Sequence, residues 1–433
     1  MLHRLDLRGA VVDDLHALRA TLPRPQAAKE PPVAAVQAIL ADVRARGDAA
    51  VRAYTERFDG AVVDDLRVPP AGLDRALAGL ASSVREALEA ARASIEVFHR
   101  GQVRGEAVHE RDGVLVRERQ VPVDRAGLYV PGGRASYPST VLMTAIPARV
   151  AGVPEIVLCV PPDRHGNVAP EVLAAAALAG VDEVFRVGGA QAIAAMAYGT
   201  ESIRPVDVVV GPGNIYVSVA KREVAGEGLV GVPSSFAGPS EVVVVADDTT
   251  PVDFAAVDVV VQAEHGPDGL AWLVTWSEEA ADAVSEAVAR IVEASPRRAE
   301  IEATLADGGY AVLVDGPAAA IAVANAIAPE HLELMSADPE SLVPLVRHAG
   351  AVFCGPFAPA SVGDYIAGPS HVLPTYGSAR FAGALRVDDF LKQVHVVSLD
   401  EHALARVAPH VVAIAEVEGL AAHAQSVRLR WAH

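Results

Sequence analysis

Cysteine is nearly absent: Cys159 and Cys354 are the only two in 433 residues, and both lie in apolar segments. Two thiols are too few for a Cys-based zinc site, and they read as reduced core residues. Lysine is as scarce, present only at Lys29, Lys221 and Lys392. The remaining basic charge is arginine, which with the heavy use of alanine reads as coding bias. No basic run interrupts the net charge of −19, so a nucleic-acid partner is not expected. Hydrophobic residues make up 51% of the chain, yet no apolar stretch approaches the roughly 20 residues of a membrane span. The start, Met1-Leu2-His3-Arg4-Leu5-Asp6, lacks the basic-then-apolar order of a signal peptide. Fixed-period repeats and low-complexity tracts are missing too. What remains is compatible with a soluble enzyme, expected in the cytoplasm without a membrane partner and long enough for roughly two to four domains.

The patterning then becomes informative. Residues 32–100 read as helices, with apolar residues at helical spacing over 33–40 and again over 71–98. Val114-Leu115-Val116 and Gly127-Leu128-Tyr129-Val130 read as strands, and Pro131-Gly132-Gly133 turns the chain. From there strands and helices alternate. Strands are expected at 155–160, 183–187, 206–210 and 241–246, with helices at 141–150, 170–179, 190–198 and 214–224. Short connections of this kind build right-handed βαβ units and a parallel sheet. A second α/β unit follows, with strands at 271–275 and 310–314 and a helix reaching 294. The segment from Asp388 onward reads as a small C-terminal arm.

Four stretches could carry chemistry. In Gln262-Ala263-Glu264-His265-Gly266-Pro267, Gln262 and His265 are three apart at a helix end, so both side chains leave from one face. Imidazole nitrogen plus amide oxygen is half of a metal shell. On its own the pair is better explained as ordinary helix-end polarity, and the metal reading gains weight only if the rest of the chain supplies the missing ligands. The glycine turns Gly188-Gly189-Ala190-Gln191 and Gly211-Pro212-Gly213-Asn214 could aim backbone N–H groups at a dinucleotide pyrophosphate. Neither fits G-x-G-x-x-G, and a tight βα turn with Gln191 or Asn214 as a helix cap is the plainer alternative. Pro329-Glu330-His331 sets a carboxylate beside an imidazole, as proton shuttling needs, although Pro-Glu also starts many helices. Dense Gly and Pro around Asp364 and His371 argue for a functional loop. His423, near the C-terminus, alone reads as an exposed helix residue. Together Gln262, His265, Asp364 and His423 compose an N/O donor set with one carboxylate, suited best to zinc, with manganese or cobalt also acceptable.

In order along the chain, Tyr54-Thr55-Glu56-Arg57-Phe58-Asp59-Gly60, Gly127-Leu128-Tyr129-Val130-Pro131-Gly132-Gly133, Gly189-Ala190-Gln191-Ala192, Gly211-Pro212-Gly213-Asn214, Ala237-Gly238-Pro239-Ser240-Glu241, Gln262-Ala263-Glu264-His265-Gly266-Pro267, Pro329-Glu330-His331-Leu332-Glu333, Gly363-Asp364-Tyr365 and His371-Val372-Leu373-Pro374-Thr375 resemble the motifs of the histidinol dehydrogenase family. The resemblance runs from Val36 to His423. It implies NAD-dependent oxidation of L-histidinol to L-histidine through histidinal, the last step of histidine biosynthesis, with one zinc per subunit. It also implies an α/β fold of two incomplete Rossmann-like domains with a small N-terminal helical segment and a C-terminal arm. The expected division is 1–26 as N-terminal segment, 27–128 with 240–385 as first domain, 129–239 as NAD-side domain and 386–433 as dimerisation arm.

Residue by residue, the resemblance implies zinc ligands at Gln262, His265, Asp364 and His423, and catalytic proton handling at Glu330 and His331. It implies NAD contacts at Tyr129, Gln191 and Asn214. Substrate contacts fall on Ser240, Gln262, His265, His331, Asp364, His371, Glu418 and His423. The family is a homodimer whose arm crosses over, so Glu418 and His423 are expected to serve the partner's site. Two runs depart from the family's pattern, at residues 231–236 and 381–385, both beside expected site loops. A relative oxidising another small polar alcohol, such as an amino or sulfonated diol, is therefore the second reading.

Overall fold

The computed structural model describes residues 2–10, 14–23, 31–132, 136–233, 240–264 and 269–431. Two parallel sheets carry the fold, as the alternation predicts. The first has six strands, in the spatial order His3–Asp6, Gly309–Leu313, Leu270–Thr275, Glu241–Ala246, His331–Met335, Ala351–Cys354. The second has four, in the order Glu183–Arg186, Glu155–Val160, Arg125–Tyr129, Val208–Val210. A three-stranded antiparallel sheet joins the hairpin Ala107–Arg111 and Val114–Pro122 to the arm strand Leu391–Ser398. Side chains alternate across each strand, so every buried strand feeds two cores. In the four-stranded sheet Ala126, Leu128, Ile156 and Leu158 face one core, and Tyr129, Val157, Cys159 and Phe185 the other. In the six-stranded sheet Val242, Val244 and Met335 face the helix Val252–Ala263, and Val243, Leu332 and Leu334 face Pro317–Ile327.

The expected division of the chain needs two corrections. The helices Val33–Arg46 and Asp48–Asp59 pack on one face of the four-stranded sheet, and Pro70–Gly79 and Ser82–Arg100 on the other. The expected division places them with 240–385, because periodicity reveals that a helix has a buried face without revealing which sheet receives it. Strand Arg125–Tyr129 is central to that sheet, so no boundary falls at 128. The N-terminal segment instead belongs to the six-stranded sheet. His3–Asp6 pairs with Gly309–Leu313, and the helix Leu15–Thr21 contributes Leu18 to the core around Ile321. Cys159 is buried, Cys354 is half-buried rather than core, and neither is paired. No helix among the described residues is long and apolar enough to cross a membrane.

Candidate active site

The Pro-Glu of residues 329–330 starts a strand, not a helix. The helix Pro317–Ile327 ends on Ala328 in the left-handed region, and after Pro329 and Glu330 the chain enters strand His331–Met335. His331 pairs in register with Val242 and Ala351 at the N-terminal edge of the sheet. Glu330 and His331 are both buried, 7% and 4% exposed. His331 Nδ1 stands 3.8 Å from Glu330 Oε2, and Nε2 stands 3.6 Å from Asp364 Oδ1. Among the described residues neither ring nitrogen has a hydrogen-bond partner. A buried imidazole between two carboxylates has the chemistry to carry a proton.

Glu330 is held from the neighbouring strand. The Glu241 N–H donates to its Oε2 at 3.3 Å, and the Ser240 hydroxyl bonds the same carboxyl. Burial pushes the Glu330 pKa up, and the neighbouring His331 works against that rise. For His331 burial opposes the charged form, but Asp364 and Glu330 outweigh it and the net shift is upward. Asp364 lies on the short helix Ala360–Tyr365 and borders a cleft of about 1290 Å³, lined also by Leu88, Tyr137, Val261 and Tyr365. His371 donates from Nδ1 to the Asp364 carbonyl oxygen at 2.8 Å, and its Nε2 accepts from Thr140 Oγ1 at 3.0 Å. Both nitrogens are thus used by the chain, so His371 fastens the Asp364 turn to the helix Pro138–Val150. A substrate contact from it requires releasing one of these bonds.

The donor set expected for a metal is present in part. Gln262 is buried in the last turn of Val252–Ala263, where the partial negative charge of a helix C-terminus favours a cation. Amide oxygen at Gln262 and carboxylate at Asp364 fit a zinc site open to imidazole donors. His265 lies outside the described residues. Among the described residues no group of three His, Cys, Asp or Glu forms a metal cluster. Glu418 and His423 are exposed on the arm, Glu418 closing the helix Glu401–Val417 and His423 early in Ala421–Trp431. Among the described residues the side-chain hydrogen bonds of the arm's two helices include those to the hairpin at Asp112 and between the helices, and none ties Glu418 or His423 to His331.

The expected dinucleotide contacts gather at the other sheet. Its strand order reverses between Arg125–Tyr129 and Val208–Val210, which makes the crevice beyond their C-terminal ends the switch point where such folds bind ligands. Tyr129 ends the first of these strands, and its hydroxyl accepts the Gly189 N–H at 3.1 Å. The Gly211 turn follows the second. Gly211 adopts φ +107°, and a Cβ there would collide with the Tyr129 carbonyl oxygen, so this glycine is required by packing alone. Lys221 is buried and donates to the Gly211 carbonyl. Asn214 is indeed a helix cap, its Oδ1 accepting from Tyr216 and Val217 N–H. Gln191 is not: it is fully buried, both its amide atoms are unpartnered among the described residues, and such an amide fits a ligand such as a nicotinamide dinucleotide.

A family model described as histidinol dehydrogenase matches residues 22–431. The chain belongs to the histidinol dehydrogenase family. It is 50% identical over 399 residues to the histidinol dehydrogenase of Parasynechococcus marenigrum, covering 91% of this chain and 90% of that one. Identity to the Rhizobium meliloti histidinol dehydrogenase is 48% over 400 residues, covering 92% and 91%. A crystal structure of histidinol dehydrogenase from Elizabethkingia anophelis superposes with a TM-score of 0.93 at 34% identity, covering 99% and 98%. As a member of the histidinol dehydrogenase family the protein is an oxidoreductase, an α/β enzyme that acts on a small molecule. Sequence reasoning missed Thr140, Asp258, Glu241 and Glu333. For Asp258 and Glu333 a signal existed: Asp258 stands inside the apolar run that follows Asp253 in its helix, and Glu333 is the one acid of an otherwise largely apolar strand.

Proposed function

We propose that this protein oxidises L-histidinol to L-histidine through histidinal, using NAD and one zinc per subunit, in the last step of histidine biosynthesis. The observation that carries the reading is the buried His331 ring, unpartnered among the described residues, between Glu330 and Asp364. Bound NAD supplies the two-electron acceptor, and bound zinc, held by Gln262, His265, Asp364 and His423, orients the substrate's amine and imidazole. His331 takes the proton of the alcohol as the carbon gives up hydride. Glu330, its carboxyl raised by burial, activates the water that hydrates the aldehyde. His331, having passed its first proton on to water, takes the second from the hydrate as the same carbon gives up the second hydride. Burial of both residues keeps bulk water from the reactive aldehyde.

Exposed Ile414, Val417, Leu420 and Leu429 give the arm an uncovered apolar surface, with Val417 90% exposed. That surface supports a homodimer in which Glu418 and His423 complete the partner's site. Zinc-loaded protein with histidinol and NAD is expected to release two NADH per histidinol consumed. Absence of NADH from a zinc-replete preparation overturns the reading.

A further inference from the structure

Asp258 and Glu333 have no part in the reaction as described, yet both are buried, 8% and 1% exposed. Asp258 lies one turn before Gln262 on the helix Val252–Ala263. Glu333 lies two residues after His331, hence on the same sheet face, the one this helix covers. Their carboxyls hydrogen-bond to each other. Two ionised carboxylates offer only acceptors, so one of the pair carries a proton. Burial, with the Asp258 carboxyl beside it, pushes Glu333 up to about 9, and burial raises Asp258 as well. Among the described residues no N–H or hydroxyl reaches Glu333 Oε2, which leaves that oxygen to the shared proton. Glu333 Oε1 accepts the Ala360 N–H at 2.9 Å, at the start of the helix that carries Asp364.

We propose that Asp258 and Glu333 are positioning residues for the metal centre: the hydrogen-bonded carboxyl pair ties the helix of Gln262 and the turn of Asp364 to the strand that begins at His331. One side chain thereby sets the spacing of three elements. An apolar contact would fill the same volume but would fix neither direction nor distance. The inference rests on the reading that Gln262 and Asp364 hold zinc.

The test is zinc affinity by chelator competition, with NAD affinity and kcat measured on the zinc-loaded protein. Glu333→Met keeps the volume and removes both bonds. It is expected to weaken zinc binding by about 10- to 100-fold and to lower kcat, with NAD affinity unchanged. Glu333→Gln restores both bonds, its amide oxygen accepting from Ala360 and its NH₂ donating to ionised Asp258, and is expected to bind zinc like the wild type. Asp258→Val cuts the pair from the helix side and is expected to match Glu333→Met. Wild-type zinc affinity in Glu333→Met or Asp258→Val overturns the proposal, as does a Glu333→Gln variant as impaired as Glu333→Met. Asp364→Ala separates the two levels. If it binds zinc normally, the metal reading falls and this inference with it. If it loses zinc while Glu333→Met keeps it, only the positioning role falls.

Discussion

The two parallel sheets offer opposite edges to their ligands. The four-stranded sheet presents strand C-termini and the N-termini of helices Gly189–Tyr198 and Ile215–Gly226, grouping Tyr129, Gln191 and Asn214. The six-stranded sheet presents strand N-termini and the C-terminus of Val252–Ala263, grouping Ser240, Gln262, Glu330 and His331. A helix N-terminus carries partial positive charge and a C-terminus partial negative charge, so one edge suits a pyrophosphate and the other a divalent cation. Buried ionisable groups follow the same division: Lys221 sits behind the Gly211 turn, whereas Asp258, Glu330 and Glu333 cluster at the six-stranded sheet. One βαβ architecture therefore offers partial positive or partial negative charge according to the edge it exposes. The His371–Thr140 bond joins the two.

That division can be broken in stages. His331→Asn is expected to lower kcat by about 100- to 10,000-fold while zinc content and NAD affinity hold, because the ring handles protons and binds neither. Steady-state rates beside zinc analysis and NAD titration check it. Asp364→Ala is expected to weaken zinc by more than about 100-fold, beyond the loss caused by an outer hydrogen-bond partner. Gly211→Ala should cost about 1–3 kcal/mol in urea unfolding and weaken NAD, since the left-handed φ and the Tyr129 carbonyl both oppose a Cβ.

The smallest effects are in pH, and the two edges carry opposite signs. Glu333, ordinarily at 4.5, is raised to about 9 by burial, so the folded chain holds a proton the unfolded chain has released. Its contribution is intact below 4.5 and is lost as pH rises towards 9. Lys221 is lowered by burial from 10.5 to about 7, so its contribution is full above 10.5 and is lost as pH falls towards 7. Glu333→Gln should flatten the falling slope, which Glu241 (raised by burial to about 8) shares, and Lys221→Met the rising one, each by about 1 kcal/mol per pH unit in urea unfolding of metal-free protein. An unchanged slope in either variant contradicts that assignment.

The sequence made the alternation of strands and helices legible, because buried parallel strands are continuous apolar runs and 241–246 and 271–275 are little else. It made the Glu330–His331 pair and the two glycine turns legible as well. What it left open was partnership. The helical spacing of Val36, Ile39, Leu40 and Val43 is the same whichever sheet receives it, so the 33–100 helices were assigned to the wrong one. Pro-Glu at 329–330 suits a helix start, and only the pairing of His331 with Val242 and Ala351 makes it a strand. Asn214 and Gln191 looked alike after their glycines. Cap geometry separates them, since one amide is spent on its helix and the other is unspent.

The most direct test is to titrate NAD and zinc separately into Gln191→Ala and Asp364→Ala. Gln191→Ala should lose NAD affinity by roughly tenfold, about the worth of one hydrogen-bonded amide, and keep wild-type zinc affinity. Asp364→Ala should do the reverse. Loss of both ligands in either variant would contradict the assignment of dinucleotide and metal to separate edges.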